Sequence, residues 1–137
     1  MKAVTAMKSS TGFSLIELMI VLAIIGILST IAFGFYGDYV IASNRTEGRA
    51  ALQTAAGTLE KCRSLYGSYN HANCNYADFA SESNYYNISG AILATSFMVT
   101  ATPVAGQPQA NDADCTTLTL TNTGVRGATG ADITDCW

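Results

Sequence analysis

Hydrophobic positions along this chain fall into three regimes. From Leu18 to Gly37 they form a run of 20 residues without a charge, and the one charge just before it is Glu17 in the stretch GFSLIE. As a helix rising about 1.5 Å per residue, that run covers roughly 30 Å, the thickness of a bilayer's hydrocarbon core. From Ile41 the pattern becomes periodic. Ile41, Gly48, Leu52, Ala55, Leu59, Cys62 and Tyr66 recur every three or four positions with one gap at Arg45. Asn44, Glu47, Arg49, Gln53, Glu60, Lys61 and Arg63 fill mainly the other faces. This period predicts that one helix runs on to Tyr66, with Gly67 as its stop.

Beyond Gly67 the helical period is lost. Residues 67–84 (GSYNHANCNYADFASESN) are polar and turn-rich and read as a loop. Alternation with period two then marks strands: a short one at Tyr85–Ser89, and a better one at Ser96–Val104 that ends at Pro103. In the second, Phe97, Val99 and Ala101 share one face, and Thr100 and Thr102 the other. After a polar loop over 105–114, Cys115–Thr121 alternates with Leu118 and Leu120 facing in. Asn122-Thr123-Gly124 reads as a turn into a short return strand at Val125–Gly127. The expected fold class is α+β: a long N-terminal helix packed on a small antiparallel sheet of three or four strands.

Composition refines this picture in two places. After Gly12 the chain carries five cations against ten anions, which argues against non-specific nucleic-acid binding, since that rests on Lys and Arg at phosphates. The four cysteines, Cys62, Cys74, Cys115 and Cys136, all follow the apolar run, and an even count in a small loop-rich body fits disulfides in an oxidising compartment. Three pairings are open. Lys2 and Lys8 on the short N-terminal flank should stay cytoplasmic, which puts the cysteines outside by an independent argument.

The apolar run admits three readings: a cleaved secretory signal, a plain anchor, or a segment retained after cleavage in front of it. A secretory h-region needs only about 7–15 residues, and Thr30-Ile31-Ala32 is a poor cleavage site. Glu17 fits neither of the first two readings, because a carboxylate in a bilayer costs a few kcal/mol and is normally paired or functional.

Gly12-Phe13-Ser14-Leu15-Ile16-Glu17-Leu18, with the basic leader and the apolar run, resembles the N-terminal signature of type IV pilins. The resemblance implies cleavage after Gly12 by a prepilin peptidase and methylation of the new N-terminal residue, Phe13. The chain then divides into a leader over 1–12, a transmembrane and assembly helix over 13–37, and a periplasmic head over 38–137. It also implies a partner for Glu17, the amine of Phe13 on a neighbouring subunit. At about 4 Å and an effective dielectric near 20, such a pair attracts by about 4 kcal/mol before desolvation. Its product is a fixed packing register rather than a strong bond. A helix from Phe13 to Tyr66 is on the order of 80 Å long, which suits a filament subunit. Gly26, Gly34 and Gly37 permit close helix approach at about 1 kcal/mol each in helix propensity. Relatives commonly carry proline where this chain has Gly34.

Ser43-Asn44-Arg45-Thr46-Glu47-Gly48, the stretch from Cys115 to Gly127 and the closing Cys136-Trp137 are similar to minor pilins of the PilE kind. In many pilins the last pair of cysteines brackets the C-terminal loop, and on that resemblance the bonds are Cys62–Cys74 and Cys115–Cys136. The loop from Gly67 to Asn84 is outside the resemblance.

No nucleophile elbow, phosphate-binding glycine loop or metal-ligand cluster is present, and His71 is the sole histidine, so neither catalysis nor a cofactor is expected. The implied function is that of a minor subunit of a type IV pilus, supporting pilus biogenesis, adhesion and twitching. The implied partners are other pilin subunits, the prepilin peptidase, the inner-membrane assembly machinery and, before assembly, lipid. A type II secretion pseudopilin is one alternative. A pilin that captures DNA or a surface is another, with Tyr66, Tyr69, Tyr76, Tyr85 and Tyr86 available to stack on bases. The acidic balance weighs against it.

Overall fold

The computed structural model describes residues 12–74 and 76–137. It divides into two units, at Gly37 and Asp38. One helix, α1 (Leu15–Tyr66, 52 residues), supplies both, and five strands follow in the second: β1 (Phe79–Ala80), β2 (Tyr86–Ile92), β3 (Phe97–Pro103), β4 (Thr117–Thr121) and β5 (Arg126–Thr129). The leader expected over 1–12 lies, apart from Gly12, outside the described residues.

The helix ends where glycine permits it. Gly67 takes φ +74°, and its N–H donates to the Arg63 carbonyl at 2.7 Å, a left-handed cap that side chains with a Cβ resist. At its start Ser14 Oγ accepts the Glu17 N–H at 3.2 Å, one of the four donors a helix N-terminus leaves without an internal partner.

The strands form one antiparallel sheet in sequence order, β1-β2-β3-β4-β5. Phe97, Val99 and Ala101 of β3 pair in register with Ile92, Gly90 and Ile88, and Val99 and Ala101 with Leu120 and Leu118 of β4. The inward residues of these strands share one core with Leu52, Ala55 and Leu59 of α1. Strand β1 lies inside the stretch read as loop. With two residues it is too short to show an alternation, and it exists because Phe79 and Ala80 pair with Ile88 and Asn87. Between β3 and β4, a single helical turn (Pro108–Asn111) carries Gln109 into the interior.

Gly48 shows how closely helix and sheet approach. A Cβ there would stand 3.0 Å from the fully buried ring of Tyr86 on β2. Alanine gains about 1 kcal/mol in helix propensity over glycine, whereas overpacking a core costs about 1–3 kcal/mol. Gly48→Ala is therefore expected to lose about 1 kcal/mol net, read as a lower urea midpoint. An unchanged midpoint would show that the Tyr86 ring yields freely.

Candidate functional site

The N-terminal segment is built for an apolar environment. Over Leu15–Ala32 the mean hydropathy is 2.6 and none of the segment is buried within the chain, so the helix is long and apolar enough to cross a membrane. Its two hydroxyls are satisfied along the helix, Ser29 Oγ donating to the Ile25 carbonyl and Thr30 Oγ1 to the Ile27 carbonyl, each at 2.7 Å. Gly12 and Phe13 precede the first helical turn and are exposed, and Glu17 lies within that turn. Ser14-Leu15-Ile16-Glu17 has the S-x-x-E spacing of a capping box, so Glu17 sits at the third helical position, where the helix dipole favours a negative charge. That spacing was legible in the sequence, and it gives Glu17 a local role besides any pairing between subunits.

In the head, the helix is fastened to the connection between β3 and β4 by a buried ion pair. Arg45 fills the gap in the apolar period and is itself buried. Its Nε donates to Asp112 Oδ2 and its Nη2 to Oδ1, both at 2.8 Å. Asp112 also accepts from Gln109 Nε2 at 2.9 Å and from the Cys115 N–H at 3.0 Å. Burial pushes the Asp112 carboxyl up, but the hydrogen bond from Arg45 and the Cys115 N–H outweigh it and leave it below the usual carboxylate value. The Arg45 guanidinium is held above its ordinary value, chiefly by the hydrogen bond to Asp112. The neighbouring Tyr86 phenol is pushed up to about 12 by burial and by the charge of Asp112.

Two disulfides pin the head. Cys115 is bonded to Cys136 and Cys62 to Cys74, each with a Cα–Cα distance of 5.7 Å. Around the first, Arg49 donates to the Cys136 and Asp135 carbonyls, both at 2.9 Å, so α1 also grips the C-terminal segment. Trp137 closes it, donating Nε1–H to the Gly127 carbonyl at 2.7 Å beneath the Arg126 guanidinium.

The tyrosines divide sharply. Tyr86 is 0% and Tyr69 3% exposed, the latter packed edge-on to Phe97 with its hydroxyl on Glu60, so neither is free to stack on a base. Tyr76 and Tyr85 are half-buried against the core. Tyr66, placed by the helical period on the inner face, is instead 43% exposed in the last turn of α1. Its ring stacks on His71, with centroids 4.5 Å apart and planes within 5°.

Asp38, Asp112 and Asp114 line a cleft of about 350 Å³ with Arg45, while Lys61 and Arg63 are exposed in the last turns of α1. Among the described residues Lys61 makes no ion pair, and Arg63 donates to the Thr95 carbonyl while resting over the Tyr69 ring. The helix end and the loop after it thus bring together two exposed cations and a stacked aromatic pair. Among the described residues no group of His, Cys, Asp and Glu is arranged to hold a metal ion.

A family model described as "Type IV minor pilin ComP, DNA uptake sequence receptor" matches residues 35–119, more than half of the chain. The chain belongs to this family of type IV pilins. A second model, the prokaryotic N-terminal methylation motif, matches residues 7–33. Pilins are structural, non-catalytic subunits, and the fold described above is theirs. This pilin is 53% identical over 51 residues to the type IV major alpha-pilin of Moraxella bovis, covering 37% of this chain and 31% of that protein. It is 53% identical over 53 residues to a fimbrial protein of Pseudomonas aeruginosa, covering 36% and 34%. It therefore matches about a third of the length of these relatives. Among solved structures, the minor pilin PilV of Neisseria meningitidis shares the fold at a TM-score of 0.54 and 22% identity, covering 68% of this chain and 90% of that one. A type IV pilin from Shewanella oneidensis matches at a TM-score of 0.50 and 29% identity, covering 71% and 97%.

Proposed function

We propose that this pilin is a minor subunit of a type IV filament whose head captures DNA for uptake. The observation that carries the reading is the family match over residues 35–119, because it rests on the head rather than on the N-terminal motif that pilins share. The local geometry supports it. Asp112 and Asp114 lie beside Arg45, and at the end of α1, where Glu60 is engaged by the Tyr69 hydroxyl, Lys61 and Arg63 would meet phosphates and Tyr66, stacked on His71, would offer a face to a base. In the full-length protein in detergent, Lys61→Ala with Arg63→Ala is expected to weaken duplex binding about tenfold. It should also flatten the dependence of log affinity on log salt by about 0.9 for each phosphate no longer neutralised. Binding unchanged in both respects would move the DNA site elsewhere on the head.

The second reading, a subunit needed for pilus biogenesis, adhesion and twitching, is favoured by the identity with a major alpha-pilin and a fimbrial protein. Deletion separates the two. Lost DNA uptake with pili and twitching intact supports the receptor; lost pili supports the structural role; lost secretion with normal pili would make the chain a pseudopilin.

Both readings share one assembly route. Cleavage between Gly12 and Phe13 removes the leader 1–12, and residues 13–37 hold the subunit in the inner membrane with the head 38–137 in the periplasm. Phe13 is methylated, and its amine then pairs with Glu17 of a neighbouring subunit in a surface filament. Glu17→Ala is expected to leave the membrane level unchanged while reducing incorporation into sheared filaments several-fold. Normal incorporation would refute the pairing.

A further inference from the structure

The two disulfides stand in different surroundings. Cys115 and Cys136 are both completely buried, whereas Cys74 is partly exposed and, with the buried Cys62, lines an open groove of about 230 Å³. Leu59, Leu65 and Tyr66 give the groove an apolar wall, and Lys61 stands beside it. A thiolate reaching this bond meets a cation, whereas one aimed at Cys115–Cys136 meets the protein interior.

The segment held by Cys62–Cys74 is otherwise fastened mainly at Tyr69, Tyr76 and Asp78. Among the described residues from Gly67 to Asp78 there is no strand; Tyr69 is buried in the core and Tyr76 is half-buried against it. The segment's hydrogen bonds to the sheet side include Tyr69 N–H to the Ala94 carbonyl, Ser68 Oγ on the same carbonyl, and the Gly90 N–H of β2 to Asp78 Oδ1 at 3.2 Å. The sulfur of Cys62 lies 3.2 Å from the Ser68 carbonyl, so a freed Cys62 thiol has an acceptor waiting.

We propose that Cys62–Cys74 is a thiol-addressable clasp on the loop after α1, opened by a dithiol oxidoreductase while Cys115–Cys136 keeps the head folded. One thiolate of the dithiol attacks the Cys74 sulfur, forming a mixed disulfide and expelling the Cys62 thiolate, which takes a proton from water. The second thiol of the reductant, deprotonated, attacks its own partner's sulfur in the mixed disulfide and releases Cys74 as a thiolate. Two electrons pass from the dithiol, which leaves as a disulfide, to the clasp. What changes is the freedom of residues 67–78, and with it the Tyr66–His71 stack.

Dithiothreitol titration of the full-length protein in detergent, with alkylation and peptide mass spectrometry, tests the order of opening. The expected result is alkylated Cys62 and Cys74 at concentrations at least tenfold below those that label Cys115 and Cys136. Trypsin cannot report on a loop without Lys or Arg, so chymotrypsin is used to cut at Tyr69 and Tyr76. Cleavage there should rise at least tenfold in the partly reduced protein, with Trp137 fluorescence unchanged. The pair Cys62→Ala with Cys74→Ala should show the same rise without reductant. Simultaneous opening of both disulfides, or selective opening without faster cleavage, overturns the proposal. Neither measurement involves DNA, so its outcome is independent of what the head binds.

Discussion

Arg45→Ala is expected to lower the unfolding free energy of the head by about 3–5 kcal/mol at pH 7, the usual cost of leaving one member of a buried ion pair behind. Asp112 would keep its bonds from Gln109 and the Cys115 N–H but lose both charge-assisted bonds from the guanidinium. The loss should depend on pH in a definite direction. In the native protein the Asp112 carboxyl is held below its unfolded value, so its contribution is present above about pH 4 and disappears as pH falls through the folded value. Without Arg45 the downward pull is mostly gone and burial pushes the other way. Native and variant stabilities should therefore converge as acid protonates Asp112 in both. Arg45→Lys keeps the charge but not the two-pronged geometry and should fall between them. Trp137, the chain's one tryptophan and packed against the head's core, reports urea unfolding of the detergent-solubilised protein. A loss below about 1 kcal/mol at pH 7, or one independent of pH, would mean that the pair only fills space.

Replacing both Cys115 and Cys136 with alanine is expected to cost about 3 kcal/mol in the chain-entropy account of a loop this size. The bond spans 21 positions and closes the segment that contains β4 and β5. Arg49 binds the carbonyls of Asp135 and Cys136, and Trp137 binds Gly127, so the same substitution should loosen the hydrogen bonds that the disulfide holds in place. The checks are a lower urea midpoint and earlier exposure of Trp137 to quencher. If Trp137 stays protected and the midpoint is unchanged, these hydrogen bonds hold the C-terminal segment unaided.

Much of the architecture could be read locally. The inward set on β3 and β4 follows from alternation, because side chains on a strand change face at every residue. Phe97, Val99, Ala101, Leu118 and Leu120 are all buried in the structure. The stop at Gly67 follows from the φ that glycine alone takes cheaply. Other features resisted local reading. Arg45 breaks an apolar period and would ordinarily be placed outside, and nothing near it in sequence says that it is paired. The five tyrosines look alike in the sequence, yet one ring is buried completely and another is nearly half exposed.

The sequence by itself determined the apolar N-terminal run, the continuous helix behind it, the strand faces and the signature beginning at Gly12-Phe13. Each depends on residues within a turn or two of one another, so periodicity and cap chemistry suffice. Only the tertiary structure decided that Arg45 meets Asp112, 67 positions away. It likewise decided which cysteines bond, which tyrosines remain at the surface, and that Lys61 and Arg63 stand clear of the carboxylates around Arg45. Those outcomes depend on which distant surfaces the packed core brings together. The charge of a whole chain cannot disclose how its charges are sorted over a folded surface. In this pilin that arrangement gives an acidic protein a helix end where two exposed cations accompany a single carboxylate, Glu60, held by Tyr69.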